Sequence, residues 1–148
     1  MNIVKRLKTL NLSPLPKRPY SSKITYLPAL FLGSLIGTYL DLYFVGKNIY
    51  TFPVRPYPHI FSINILFTLI GLPILLLLFL QLIKKMDTWL GVTVCFLFSL
   101  IMAIGENLSE QWFFFQHIDA WKHSYSVIGY FLFFIFIWTV FKWTNQRF

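Results

Sequence analysis

Residues 88–123 read TWLGVTVCFLFSLIMAIGENLSEQWFFFQHIDAWKH, and the fold turns on how that stretch is interpreted. Its first part, 88–104, is almost unbroken apolar sequence, close to the roughly 20 residues that carry a helix across about 30 Å of hydrocarbon. Its second part, 106–123, holds three of the chain's five acidic residues and two of its three histidines. An apolar helix that ends in carboxylates, amides, histidines and tryptophans reads as a membrane span arriving at a polar surface. The composition agrees. With 57% hydrophobic, 20% aromatic and 12% charged residues, a 148-residue chain lies far from the soluble average, which implies an integral membrane protein.

Working outward, three further apolar stretches appear, so the expected fold class is all-α: a polytopic protein with four antiparallel transmembrane helices at about 24–44, 60–83, 88–115 and 124–143. Gly33, Gly37 and Asp41 recur every four residues along the first span and share one face, a spacing that lets another helix approach closely. Gly71 and Pro73 imply a kink in the second span. Asn64, near its start, is expected to face protein and donate an interhelical hydrogen bond. Only Lys84, Lys85 and Asp87 separate spans two and three, which favours an antiparallel hairpin. Pro53, Pro56 and Pro58 exclude a regular helix between spans one and two and set Arg55 at the interface, facing a carboxylate or lipid phosphate.

The lead 1–23 is basic. Ile3, Val4, Leu7 and Leu10 at near-helical spacing admit a short interfacial helix, and a disordered tail ended by Pro14, Pro16 and Pro19 is equally open. The basic lead is long and lacks a small-residue cleavage pattern, which argues against a signal peptide.

Placing the lead in the cytoplasm puts ten basic residues inside and only Lys47, Arg55 and Lys122 outside, which implies that both termini are cytoplasmic. Trp89 and Trp143 then mark the inner interface, and Trp112, Trp121 and Tyr57 the outer one. The net charge of +8 thus reads as topology and headgroup contact, not nucleic-acid binding. Cys95 is the only cysteine, so no intramolecular disulfide forms.

With that orientation Asp41, Asn64, Glu106, Glu110, His117, Asp119 and His123 gather at the outer side as the candidate polar cluster. Arg55, Lys47, Trp121 and Lys122 are the candidate lipid or partner contacts. Glu106 is the most informative residue: an intramembrane carboxylate is costly unless paired, hydrated or protonated, and defaults to a functional hypothesis. It is expected to face the helix interior. Glu106, Glu110, His117, Asp119 and His123 are ligand types for zinc, manganese or iron, but the chain lacks a His-Glu-x-x-His pair and the Glu-x-x-His motifs of helical dinuclear sites. No metal or other cofactor is favoured. Asp41 and Glu106 could also serve as base and acid in a hydrolase, though Ser109 and Ser124 form no triad with neighbouring groups. The expected role is a membrane accessory or interaction protein. The alternative is a membrane-embedded enzyme or an ion- or proton-coupled transport component using the same carboxylates. Partners are membrane lipids and other membrane proteins or a second copy, with no nucleic acid.

The strings Gly37-Thr38-Tyr39-Leu40-Asp41, Gly46-Lys47, Tyr50-Thr51-Phe52-Pro53-Val54-Arg55-Pro56, Phe61-Ser62-Ile63-Asn64 and Trp121-Lys122-His123 resemble an uncharacterised family of small four-helix integral membrane proteins from spore-forming Firmicutes. The resemblance runs from the first span to the fourth. It implies the bacterial cytoplasmic membrane, with an envelope or sporulation context, and it transfers no activity to any residue.

Overall fold

The computed structural model describes residues 25–117 and 121–146, the side chains of His123 and Gln146 excepted. The basic lead 1–23 and Asp119 therefore lie outside the described residues. Four helices carry the fold: α1 Leu27–Gly46, α2 Phe67–Ile83, α3 Thr88–Gln111 and α4 His123–Gln146. Two short strands, β1 Tyr50–Thr51 and β2 Gln116–His117, pair antiparallel with Tyr50 opposite His117. Three helical segments, Leu27–Gly46, Thr88–Gln111 and Ser124–Asn145, are long and apolar enough to cross a membrane. The apolar helix Phe67–Ile83 is shorter; at about 1.5 Å per residue it reaches roughly 25 Å.

Helix α2 is shorter than the apolar pattern suggests because residues 60–64 are not helical. The helical stretch begins at Ile65, where Oδ1 of Asn64 accepts the Phe67 N–H at 3.2 Å. Asn64 thus caps its own helix and, among the described residues, makes no hydrogen bond to another one, a correction to its expected role, because an amide at an N-terminus finds unpaired backbone N–H groups within reach. The segment that follows, Phe67–Gly71, is a π-helix ahead of Pro73. The disruption expected at Gly71 and Pro73 therefore takes the form of a widened turn, which accommodates a proline that has no N–H to give.

Helices α1 and α3 end alike. At the end of α1 the Asn48 and Ile49 N–H groups return to Val45 and Phe44, with Asn48 at φ 54°. At the end of α3 the Phe113 and Phe114 N–H groups return to Glu110 and Ser109, with Phe113 at φ 60°. Both are Schellman motifs closed by a left-handed residue. This is why α3 stops at Gln111 and not at residue 115, and the two reversals aim the following residues at each other so that β1 meets β2.

The small residues of α1 face inward. A Cβ on Gly33 would lie 2.4 Å from Leu76 Cδ1, and one on Gly37 would lie 2.4 Å from Leu72 Cδ2, so α2 leucines occupy the space these glycines leave. On the other side of α1, Leu27, Phe31, Leu35 and Tyr39 are exposed at four-residue intervals. An outward stripe of that kind, on a helix apolar all round, suits lipid and not water. Helix α3 packs along α4, with Trp138 set against Gly91, where a Cβ would come within 2.3 Å of the indole. Phe79 joins the helices through an edge-to-face contact with Phe98 (5.2 Å between ring centroids) and a tilted one with Phe134 (4.8 Å). The start of α1 is fastened to the end of α4 by a reciprocal pair, Thr25 N–H to Asn145 Oδ1 (2.9 Å) and Asn145 Nδ2 to the Thr25 carbonyl (3.1 Å). Hydroxyls within the helices, including Thr38, Ser99 and Thr139, donate back to carbonyls of their own turns, which satisfies them without water.

Candidate functional site

At the end of the helices away from the Lys84–Lys85 turn, a cavity of about 590 Å³ opens. The C-terminal half of α1 (Gly37, Asp41), the start of α2 (Phe67, Leu72), the C-terminal half of α3 (Met102, Glu106) and the N-terminal half of α4 (Ser126, Tyr130) all line it. Its walls are chiefly aliphatic and aromatic, and its acids are Asp41 and Glu106. Residues 65 positions apart in sequence thus converge on one space, as the candidate cluster requires.

Glu106 is buried, 9% exposed, on the face of α3 that meets α4. Ser126 Oγ donates to its Oε1 at 2.7 Å, and the Tyr130 hydroxyl donates to its Oε2 at 2.9 Å. Trp121 Nε1 in turn donates to Ser126 Oγ at 3.0 Å. A carboxylate inside an apolar assembly is costly unless hydrogen-bonded, and this chain of donors supplies the compensation. Asp41 is held by a different element. The Tyr50 hydroxyl donates to its Oδ1 at 2.6 Å, a contact made possible because the Asn48 reversal folds β1 back over the end of α1. Burial first, and then the adjacent Asp41 carboxylate, push the Tyr50 phenol well above its ordinary value, so it stays protonated as a donor. Tyr50 lines the same cavity as both acids.

An aromatic layer covers this end. Tyr50, Phe52, Phe115 and Ile63 form a second buried cluster separate from the main core, with Tyr50 and Phe115 rings 4.9 Å apart and Phe52 and Phe115 5.6 Å apart. Phe44 bridges to Trp121 at 5.7 Å. Trp121, expected as an interfacial marker, is half-buried and lines the cavity, whereas Trp89, Trp112, Trp143 and Tyr57 are exposed.

The other candidates separate from Asp41 and Glu106. Asn64 lines the cavity while capping α2. Glu110 Oε1 lies 2.7 Å from His117 Nδ1, a close approach of carboxylate and imidazole. That pair ties α3 to β2 and lies outside the cavity lining. Arg55 turns onto its own loop: Nη1 donates to the Phe52 carbonyl at 2.5 Å and Nε to the Phe61 carbonyl at 2.7 Å. Its guanidinium organises the proline-rich connection from within. Lys47 and Lys122 are exposed, the former with its ammonium 6.0 Å from the Tyr43 ring centroid. Asp119 and the His123 side chain lie outside the described residues. Among the described residues no group of three histidine, cysteine, aspartate or glutamate side chains gathers to hold a metal ion.

Tyr50, Ser126 and Tyr130 are the site residues that sequence reasoning missed. A signal existed for two of them. Ser126 and Tyr130 are hydroxyls one turn apart in an apolar helix, facing the same partner. Tyr50 carried no periodic signal, because its place depends on the chain reversal at Asn48. No family model, curated protein or solved structure matches the chain.

Proposed function

We propose that this protein is a noncatalytic accessory protein of the bacterial cytoplasmic membrane that holds a small amphiphilic molecule in the cavity between its helices. In this reading all four helices cross or enter the bilayer, both termini are cytoplasmic, and the cavity sits near the extracytoplasmic face. The observation that carries it is the cavity itself: about 590 Å³, chiefly apolar walls and two carboxylates among the lining residues. Ligand sites combine these features, an apolar container of several hundred Å³ with a few fixed polar groups. The exposed apolar stripe of α1 and the ten-to-three distribution of basic residues support the membrane placement.

The test uses the native ligand. Full-length protein is extracted from its membrane in polymer nanodiscs and its bound small molecules are identified by mass spectrometry, beside Gly129→Leu. Gly129 lines the cavity and nothing lies within 4 Å of a Cβ built on it, so a leucine side chain starts in open space there. One amphiphile enriched in the wild type and absent from the variant is the expected result; identical lipid profiles sink the reading. Reporters placed after Phe148 and in the loop 53–58 should lie on opposite sides of the membrane, and two cytoplasmic signals overturn the topology. The hydrogen-bonded chain Trp121–Ser126–Glu106–Tyr130 favours a second reading, a proton-coupled component. That reading requires Glu106→Gln to abolish proton flux into liposomes that the wild type supports.

A further inference from the structure

One of the two carboxylates in the cavity is left half open by the protein. Both oxygens of Glu106 take donors from α4. At Asp41 only Oδ1 does, from Tyr50; among the described residues Oδ2 accepts no hydrogen bond from the protein. No lysine, arginine or histidine is among the described residues lining the space. The remaining wall is chiefly apolar, with Leu40, Leu72, Ile101 and Phe133 among its residues and the neutral side chains of Asn64, Ser109 and Tyr125 as further polar groups, and the helix faces at Gly105 and Gly129 stand open, with nothing within 4 Å of a built Cβ.

From this arrangement, and resting on the binding reading above, we infer that the occupant is a single-chain amphiphile with a protonated amine head. The ammonium sits against Asp41 Oδ2, and the chain lies along the apolar wall. Three alternatives fit less well. A carboxylate or phosphate head would meet two acids and no cation. A neutral hydroxyl could satisfy Oδ2 with one hydrogen bond but would leave the carboxylate's charge uncompensated in apolar surroundings. A small soluble amine would leave most of the apolar wall uncovered. An ammonium offers three donors and the opposite charge, and its bonds to carboxylate are about twice as strong as neutral ones. The alkyl chain supplies the remaining affinity by leaving water for the aliphatic and aromatic wall.

The experiment measures saturable binding of tritiated dodecylamine to the full-length protein in phosphatidylcholine nanodiscs, with protein-free nanodiscs subtracted. Competitors are dodecanol, dodecanoate and butylamine. Dodecylamine is expected to bind at least about tenfold more tightly than each competitor. Asp41→Asn keeps an oxygen for the Tyr50 hydroxyl but replaces Oδ2 with a donor, and should weaken dodecylamine about tenfold or more without changing the circular dichroism melt. Gly129→Leu should abolish binding in a protein that still melts cooperatively. Equal competition by dodecanol or dodecanoate, or unchanged affinity in Asp41→Asn, overturns the amine head and leaves the binding reading standing. Equal competition by butylamine overturns the requirement for a chain. Saturable binding by none of the four overturns the inference and the binding reading together.

Discussion

The clasp between α3 and α4 can be tested one hydrogen bond at a time. Tyr130→Phe removes the 2.9 Å donor to Glu106 Oε2 and nothing else. Hydrogen bonds between helices in membrane proteins contribute about 0.6 kcal/mol on average and at most about 1.7, so the variant should lose an amount within that range. Ser126→Ala costs more. The Ser126 hydroxyl donates to Glu106 at 2.7 Å and accepts from Trp121 at 3.0 Å, so its removal breaks two bonds at a position only 7% exposed. The sum is about 1–3 kcal/mol. Reversible unfolding in mixed micelles, with the fraction of sodium dodecyl sulfate raised stepwise and helicity followed by circular dichroism, measures both. A double-mutant cycle of Tyr130→Phe with Glu106→Gln should show coupling above the roughly 0.3–0.5 kcal/mol of independent sites. If the cycle is additive, or if Ser126→Ala is no more damaging than Tyr130→Phe, Glu106 is not the hub that joins the two helices.

Three other perturbations address separate links. Gly91→Ala drives a methyl into the Trp138 indole, 2.3 Å from the built Cβ position, and should destabilise the protein by about 1–3 kcal/mol in the same unfolding assay. Phe113 sits at φ 60° and is 62% exposed, so Phe113→Gly should stabilise by up to about 1 kcal/mol by relieving a left-handed backbone at a helix end. Burial and Asp41 raise the Tyr50 phenol above its ordinary value, so the folded state holds its proton where the unfolded chain releases it. That contribution is complete below a pH of about 10 and is lost as the pH rises further; Tyr50→Phe should flatten the alkaline decline measured by unfolding at stepped pH.

Much of this architecture can be read from residue order because its causes are local. Leucine, isoleucine and phenylalanine in runs long enough to span hydrocarbon make helices wherever they occur in a membrane chain, since an unpaired backbone in lipid is too costly. Gly33 and Gly37 mark a close approach because a four-residue repeat puts both on one face. The inward-facing carboxylate of Glu106 follows from the same cost of burial. The exact start of α2 was not legible, because one cap at Asn64 outweighed the apolar character of residues 60–63.

Tertiary structure decided which polar residues share a site. Sequence alone grouped Glu110 and His117 with Asp41 and Glu106 because all fall toward one side of the chain's topology. Position along the helix separates them: Glu110, one turn nearer the end of α3, meets His117 of β2, while Glu106, one turn deeper on the same face, meets Ser126 and Tyr130 of α4. Loop geometry made the other decision. Two left-handed residues, Asn48 and Phe113, reverse the chain after α1 and α3, and only through those reversals do β1 and β2 meet and Tyr50 reach Asp41. Periodicity specifies which face of a helix is apolar, but the rotation of one helix against another and the path of a loop depend on contacts between residues far apart in the chain. The cavity belongs to that second class, since each of its walls comes from a different helix.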